Sequence, residues 1–405
     1  MSGSLSDHVD ALRDDLIALL QRLIRLPTVN PPGDGYETFV AELKSVLDEL
    51  GYATEVHHAP TELAPLGQGL PRPNLIAKLE GDGPLIHLNG HYDVVPVGND
   101  WTRDPFGGEL ADGRIYGRGA ADMKSGLAAQ IIAVEALRRA GLRPNVHQSA
   151  VPDEETVGVR NAGTGWLVEN GLLEGDAVII TEPFGPDGVG IGHKGAIWGE
   201  ITIFGASAHG SAPQLGVNAI ELMARYLAHL DQHLRPQLER RETDYGVTPD
   251  NPRATLSFDT ITGGHATNIV PDRCTVTFNR RLVPGEDLDS ARRELLEPLH
   301  EVRHSYRELY STEPTLVSED EPVVMAAKRA VLQLGLTPRT LISAGSDDQR
   351  FVVHNAEITN SLVYGPGRTE LSHIADEYID VEDLVLGTKG LALIVADLLS
   401  DRSGP

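Results

Sequence analysis

Several segments of the sequence place histidine or acidic side chains where they could hold a metal-activated water. The first is His91-Tyr92-Asp93, which follows an apolar run that predicts a strand over 85–89. Alternate residues of an extended chain point the same way, so the Asp93 carboxylate can reach the His91 imidazole. A metal-bound histidine usually donates its second N–H to such a partner. Taken alone, the pair is equally typical of a polar turn.

Asp122 lies between a glycine-containing loop and a strong helix pattern over 124–140. The ordinary role of an aspartate at this position is to cap the helix. The glycines ahead of it, Gly117 and Gly119, would leave the carboxylate exposed in a crevice. There it could bridge two cations, and the sequence alone leaves both roles open.

Three consecutive acids, Asp153-Glu154-Glu155, follow a strand predicted over 146–151. Their mutual repulsion must be relieved by solvent, by an arginine or by a cation. Adjacent carboxylates point in different directions, so one can bind a metal while its neighbour acts as a base. A solvated acidic loop is the simpler alternative.

Glu182 and His373 lie on two further turns, after a strand predicted over 177–180 and after the glycine-rich segment 365–367. Each residue alone is more typical of a solvated or structural position. Metal ligands are expected where strands end, because side chains on those loops converge in one crevice. These candidates all fall on turns of one predicted α/β domain. A set of oxygen and imidazole ligands without thiolate suits zinc or a similar divalent ion, and one shared carboxylate allows two ions.

The elements expected to hold these residues form an α/β domain with an insertion. Predicted strands and helices alternate in the first half at 74–79, 85–89, 124–140, 146–151, 163–170 and 177–180. A smaller β-α-β-β-α pattern follows at 196–204, 217–234, 255–261, 273–282 and 288–304. We therefore predict a catalytic domain over 1–194 and 313–405, interrupted by an inserted α+β domain over 195–312.

Composition excludes several classes of partner. The 405-residue chain carries a formal charge of −25, and such an acidic surface repels nucleic acid and anionic membranes. No run approaches the ~20 apolar residues of a membrane span. The segment 4–26 predicts an amphipathic helix rather than a signal peptide. The single cysteine, Cys274, allows no disulfide within the chain, which favours the cytoplasm.

The motifs around these candidate ligands resemble the M20 metallopeptidase family. The resemblance is carried by His91-Tyr92-Asp93-Val94-Val95-Pro96, Trp101-Thr102-Arg103-Asp104-Pro105-Phe106, Tyr116-Gly117-Arg118-Gly119 and Asp122-Met123-Lys124-Ser125-Gly126. Within that family, the chain is most similar to the acetylornithine deacetylase and succinyl-diaminopimelate desuccinylase group. The resemblance implies a zinc-peptidase-like α/β catalytic domain with an inserted lid and dimerisation domain.

The same resemblance implies a role for each candidate at the metal centre. It assigns two divalent ions per subunit, zinc first, with cobalt or manganese as alternatives. The implied roles are His91 and Glu182 at one metal, Glu155 and His373 at the other, Asp122 between them, Asp93 as partner of His91, and Glu154 as general base.

Contacts with a carboxylate-bearing small substrate are also implied by the resemblance. His209 would reach the site of a partner subunit and stabilise the oxyanion, in a homodimer formed through the lid. Arg281 would bind the carboxylate, whereas Arg280 beside it points to the other face and is expected on the surface. Further implied substrate contacts are Asn268, Arg350 and Gly367. For the loop of Arg350 the alternative is a plain helix cap at Asp347.

The predicted reaction is hydrolysis of an amide bond in a small N-acyl amino acid. A dipeptidase or carboxypeptidase, a carbamoylase, an aminohydrolase, or a binding protein without catalysis are the alternatives. Glu182, rather than an aspartate, favours a deacylase over an aminopeptidase of the family. Thr369 stands where the desuccinylases carry an asparagine, which counts against succinyl-diaminopimelate itself as the substrate.

Overall fold

A computed structural model describes residues 4–156 and 161–400. These residues divide into two compact units. The first unit comprises the chain up to Gly192, Leu316–Ser343, and the chain from Asp347 onward. The second comprises His193–Thr315 and Ala344–Ser346. Within the described ranges, no helix is both long enough and apolar enough to cross a membrane.

The first unit is built on a mixed sheet. In spatial order its strands include Ala53–Ala59, Arg72–Leu79, Pro144–Val151, Asp82–His91, Ala177–Ile180, Ser361–Val363, Gly188–His193 and Arg339–Ser343. The pairs that flank Asp82–His91 are parallel, which is the arrangement expected where helices connect the strands. A small sheet beside it contains Glu109–Ala111, Arg114–Tyr116 and Tyr378–Asp380.

Helices cover this mixed sheet. They are Leu5–Asp10, Arg13–Ile24, Tyr36–Glu49, Lys124–Arg139, Thr164–Glu169, Pro322–Gln333, Gln349–His354 and Val381–Ser400. Lys124–Arg139 is buried along most of its length, consistent with its small and apolar residues. The single helix predicted over 4–26 is in fact two helices, interrupted at Ala11 and Leu12. Neither glycine nor proline marks this break, so it could not be predicted from the sequence.

The second unit contains an antiparallel sheet with helices against one face. Its strands are ordered Thr255–Gly263, Arg273–Leu282, Gly195–Phe204 and His304–Thr312. The helix Ala219–His229 continues as a π-helical turn, Leu230–Leu234, and Arg235–Leu238; the other helix is Leu288–Leu296. Apolar side chains from alternate strand positions, among them Ile201, Val276 and Phe278, form the core with Met223 and Leu295 of these helices.

The helix predicted over 288–304 is too long, and a strand after it was missed. The α-helix ends at Leu296, and Glu297–Leu299 forms a 3-10 turn around Pro298. Proline lacks the N–H that the helix needs and its ring crowds the preceding turn. The strand His304–Thr312 lies at the edge of the sheet, where polar residues replace the apolar alternation that identifies a strand in the sequence.

Arg280 is buried, so the prediction that it lies on the surface is wrong. Its face of the strand is the one that packs against the helices. Its guanidinium is paired with Glu286, and Glu294 lies 3.8 Å away. Glu286 also accepts a hydrogen bond from Arg241 at 2.9 Å and from the Val283 N–H at 2.8 Å. The buried charge is therefore neutralised by acids from the following loop and helix.

We expect Glu286→Gln to destabilise the second unit by about 3 kcal/mol, since removing one partner of a buried ion pair leaves the other charge uncompensated. Urea unfolding followed by circular dichroism measures the change. Glu301→Gln, on an exposed side chain of the same unit, is the control and should leave the unfolding curve unchanged. An equal, small effect of both substitutions would contradict the assigned role of Glu286.

Candidate metal centre

Neighbouring strand ends bring the first candidate ligands together. His91 ends the strand Asp82–His91 and is in register with Val151, while Asn89 is in register with Ile180. These parallel strands end at one edge, so the residues that follow them share a crevice. The Glu182 Oε1 atom lies 3.4 Å from His91 Nε2.

Asp122 lies between the two histidines of the centre. Its Oδ1 is 3.0 Å from His91 Nε2, and its Oδ2 is 3.4 Å from His373 Nε2. His373 Nε2 is also 3.0 Å from Glu155 Oε1. Asp122 does not cap the following helix, whose N-cap is Met123 without a side-chain hydrogen bond. One carboxylate oxygen toward each histidine is the arrangement that a bridging ligand requires.

Two groups of ligand atoms are close enough to surround a metal ion. The atoms of His91, Glu154 and Glu182 lie within 4.8 Å of one another, and so do those of His91, Asp122 and Glu155. Glu182 Oε1 is buried and has no hydrogen-bond partner in the described part of the chain. A cation would satisfy that oxygen. The donor set, carboxylate and imidazole, therefore fits zinc or a similar divalent ion.

The electrostatics of the crevice favour bound cations. Burial, followed by the charge of Glu182, raises the pKa of Glu154 well above its usual range. Burial also raises the pKa of Glu182 to about 8. Burial opposes ionisation of Asp122 too, but hydrogen bonds from His373 and His91 outweigh it and hold its pKa below the usual range. Several carboxylates collected out of water need positive charge beside them to stay ionised.

Asp93 organises the segment that carries the acids. Its Oδ1 accepts the Glu154 N–H and its Oδ2 accepts the Glu155 N–H, each at 3.2 Å. Asn30 donates a third hydrogen bond to this carboxylate at 2.9 Å. The His91 Nδ1 atom lies 2.9 Å from the Asp93 carbonyl oxygen and 3.5 Å from its carboxylate. Asp93 thus holds both the imidazole ring and the backbone of the acidic turn.

An arginine neutralises Asp153, the first of the three consecutive acids. Arg72 Nε lies 2.8 Å from Asp153 Oδ2, and both side chains are buried. Asn30 and the Tyr36 hydroxyl donate to the other oxygen at 2.8 and 3.3 Å. Asp153 has a φ of +63°, so the chain turns sharply here and directs the next two acids away from it. The sequence left solvent, an arginine or a cation as possible sources of neutralisation. For Asp153 the source is an arginine.

Glu377 is a buried acid that the sequence analysis missed. Its Oε1 accepts the backbone N–H groups of Gly119, Ala121 and Asp122 at 3.0, 2.9 and 3.2 Å. Its Oε2 lies 2.5 Å from Arg118 Nη1. The loop that presents Asp122 is therefore anchored on the segment that also carries His373. The only signal in the sequence was an acid four residues after His373.

Packing explains the positions of Gly367 and Arg350. The contact of each residue with substrate stays a prediction. A Cβ at Gly367 would lie 2.2 Å from the Ala121 carbonyl oxygen, so glycine is required beside the Asp122 loop. Arg350 is buried, with its guanidinium carbon 4.5 Å from the centre of the Phe351 ring. Asp347 accepts the Gln349 N–H at 2.9 Å, but the N-cap of the helix is Asp348, without a side-chain hydrogen bond, so the helix cap predicted at Asp347 is wrong.

The remaining predicted residues belong to the second unit. His209 is exposed on its loop, with Nδ1 2.7 Å from Ser211 Oγ. The Gly210 N–H donates to the Asn268 carbonyl oxygen at 2.8 Å, so the loops of His209 and Asn268 are adjacent. Arg281 is half-buried, with its guanidinium 5.5 Å from the centre of the Trp198 ring.

Comparison with known proteins agrees with this geometry. The model of peptidase family M20/M25/M40 matches residues 87–397. The chain belongs to this family. It is 33% identical over 390 residues to a Rhodospirillum centenum protein named succinyl-diaminopimelate desuccinylase, covering 92% of this chain and 94% of that one. The predicted family is therefore confirmed, and the chain is an M20 metallohydrolase.

Solved structures of the M20 family share the fold. An M20 metallo-carboxypeptidase from Sulfolobus solfataricus has a TM-score of 0.73 at 20% identity, covering 95% of this chain and 99% of that one. A Bacillus subtilis protein described as a dinuclear metal binding peptidase of the family has a TM-score of 0.66 at 20% identity, covering 96% and 99%. These similarities confirm the predicted α/β fold with a separate smaller antiparallel sheet.

We expect Glu377→Gln to lower the affinity for metal about 10- to 100-fold, because residues that orient metal ligands commonly contribute that much. The substitution loosens the Asp122 loop and leaves Arg118 without its buried counter-charge. Titration of the metal-depleted protein with zinc against a competing chelator measures the effect. Glu370→Gln, on an exposed acid of the same segment, should bind zinc as the unchanged protein does. Unaltered zinc affinity of Glu377→Gln would rule out this positioning role.

Proposed function

We propose that this M20 metallohydrolase cleaves the amide bond of a small N-acyl amino acid, using a water activated between two divalent ions. The observation that carries the proposal is the pair of ligand groups that share His91. Glu154 lies in one of these groups, where a base would have to be. Deacylation is further supported by the desuccinylase name of the relative at 33% identity.

In this proposal, His91 and Glu182 would hold one ion, Glu155 and His373 would hold the other, and Asp122 would serve both. Zinc is the first choice, and cobalt or manganese would accept the same donors. Two such ions, when bound, lower the pKa of a water and polarise the substrate carbonyl. The short distances from Asp122 to both histidines support its shared position.

Glu154 is the proposed general base. Its backbone is held by Asp93, so its side chain is offered to the crevice from a fixed turn. Burial raises its pKa, and cations bound beside it would keep the carboxylate ionised, so that it could accept a proton. It takes a proton from the attacking water and passes it to the leaving nitrogen.

Residues of the second unit are proposed to bind and polarise the substrate. The planar guanidinium of Arg281 suits a bidentate hold on a carboxylate. Asn268 is proposed as a substrate contact on the loop beside His209. His209 is proposed to act on the oxyanion in a partner subunit, within a homodimer formed through this unit. Its exposed side chain is consistent with a role in another subunit.

We expect Glu154→Gln to lower kcat about 10²- to 10⁴-fold while two ions per chain are retained, since the amide side chain cannot accept the proton from water. Steady-state kinetics and metal analysis on the same preparation measure both quantities. Glu301→Gln, on an exposed acid, is the control for the change of charge. Near-normal turnover of Glu154→Gln with both ions bound would show that another group is the base.

Removal of the metal should abolish hydrolysis, because the proposed nucleophile is generated only beside the ions. Activity should return in step with added zinc and reach its maximum at two equivalents per chain. Saturation of both tight binding and activity at one equivalent would contradict the two-metal proposal.

A substrate panel distinguishes the proposed bond from its alternatives. N-acetyl, N-succinyl and N-carbamoyl amino acids are compared with dipeptides of the same amino acids by kcat/KM. The proposal expects the highest values among the N-acyl compounds. Preference for dipeptides or carbamoyl compounds would move the assignment to a peptidase or a carbamoylase with the same centre.

A further inference from the structure

Two cationic side chains, Lys194 and Arg281, lie at one end of the antiparallel sheet of the second unit. Arg281 is in register with Ala196, and Leu282 with Gly195, the residue directly after Lys194. Side chains alternate along a strand, so Ala196 and Trp198 share the face of Arg281. Tyr310 is in register with Trp198, and their ring centres are 5.1 Å apart. This face of the sheet thus carries positive charge beside the aromatic rings of Trp198 and Tyr310.

Neither cation has a carboxylate partner in the part of the chain that the structure describes. Arg281 lies over the Trp198 ring, and Lys194 donates to the Arg253 carbonyl oxygen at 2.6 Å. Other arginines of the same unit are paired with acids, as in Arg241–Glu294, Arg280–Glu286 and Arg292–Glu308. The sequence has 59 acidic against 34 basic residues, so acids are plentiful. Among the described residues no acid forms an ion pair with either cation, and Glu286, whose charge acts on Lys194, is itself paired with Arg280 and Arg241.

Such an arrangement is costly without an anion. Lys194 is buried, Arg281 is half-buried, and taking charge out of water is unfavourable unless it is paired. Burial, and then the charge of Arg281, lowers the pKa of Lys194 to about 8, which is consistent with the two cations lying at the same end of the sheet. Trp198 Nε1 is buried without an acceptor among the described residues. Asn279 Oδ1, in register with Trp198, is likewise buried without a donor among the described residues, so the face offers a donor and an acceptor beside the two cations.

We propose that Lys194 and Arg281 together form a two-cation subsite that binds one carboxylate of the substrate. The guanidinium takes both carboxylate oxygens side by side, and the ammonium supplies a second charge. The inference deepens the proposed function and rests on it, because it names Lys194 as a determinant of substrate specificity. If the subsite exists, the protein prefers substrates with a free carboxylate over the corresponding primary amides.

The kinetic test compares an N-acyl amino acid with its primary amide in the zinc-loaded protein. Lys194→Met should raise KM for the acid about 10- to 100-fold, since a hydrogen bond to a charged group contributes ~1.5–3 kcal/mol and each 1.4 kcal/mol is tenfold. KM for the amide should change little, and kcat for the acid should fall much less than KM rises. An equal rise of KM for both compounds would mean a merely structural role and would overturn the proposal.

A binding test needs no turnover and separates failure of the subsite from failure of the proposed function. Succinate and inorganic phosphate are titrated against the zinc-loaded protein by tryptophan fluorescence, and Trp198→Phe identifies the signal from this face. The proposal expects succinate to bind and Lys194→Met to weaken it about tenfold or more. Tighter binding of phosphate than of succinate would overturn the assignment to a carboxylate. If no compound of the panel is cleaved but succinate binds in this way, the subsite stands and the deacylase proposal fails.

Three further variants keep the test decisive. Lys194→Arg retains the charge and should bind succinate nearly as well as the unchanged protein. Lys194→Gln removes the charge but keeps a donor for the Arg253 carbonyl, so it should weaken binding even where Lys194→Met fails to fold. Lys44→Met removes an exposed lysine paired with Asp48 and should have no effect. Full succinate affinity in a folded Lys194→Gln protein would overturn the proposal.

Discussion

The collection of four carboxylates and two imidazoles in one crevice is the constraint on which the rest of the first unit depends. Asp122, Glu154, Glu155 and Glu182 repel one another and are held away from water. No isolated loop would keep such a set together. The parallel strands fix where three of the segments end, and the surrounding hydrogen bonds fix how each side chain leaves its turn. The architecture therefore holds close together charged side chains that would otherwise move apart.

Much of this support comes from residues that are not themselves candidate metal ligands. Arg72 neutralises Asp153, so that Asp153 adds little to the repulsion among the acids. Asp93 aligns the backbone of Glu154 and Glu155. Glu377 performs the same task for the Asp122 loop by accepting the backbone N–H groups of Gly119, Ala121 and Asp122. Buried carboxylates are used here as acceptors for backbone N–H groups, which are otherwise hard to satisfy in a turn.

The candidate ligands could be predicted from the sequence because each of them lies beside a recognisable local pattern. His91, Asp122 and Glu182 follow strands or precede a helix, and the strand Ala177–Ile180 and the helix Lys124–Arg139 were predicted almost to the residue. The supporting residues were out of reach, since Arg72 meets Asp153 only through the tertiary fold. The burial of Arg280 was missed because its charge suggested a surface position, although alternation places it on the same face as Val276 and Phe278. The strand His304–Thr312 was missed because an edge strand can be polar throughout.

The spacing of the ligands along the chain has a consequence for biosynthesis. His91 emerges from the ribosome well before His373 and Glu377. The loop of Asp122 depends on that later segment, because Glu377 accepts the Asp122 N–H and His373 lies beside the Asp122 carboxylate. A fragment that ends before this segment therefore lacks His373 and the hydrogen bonds that hold the Asp122 loop.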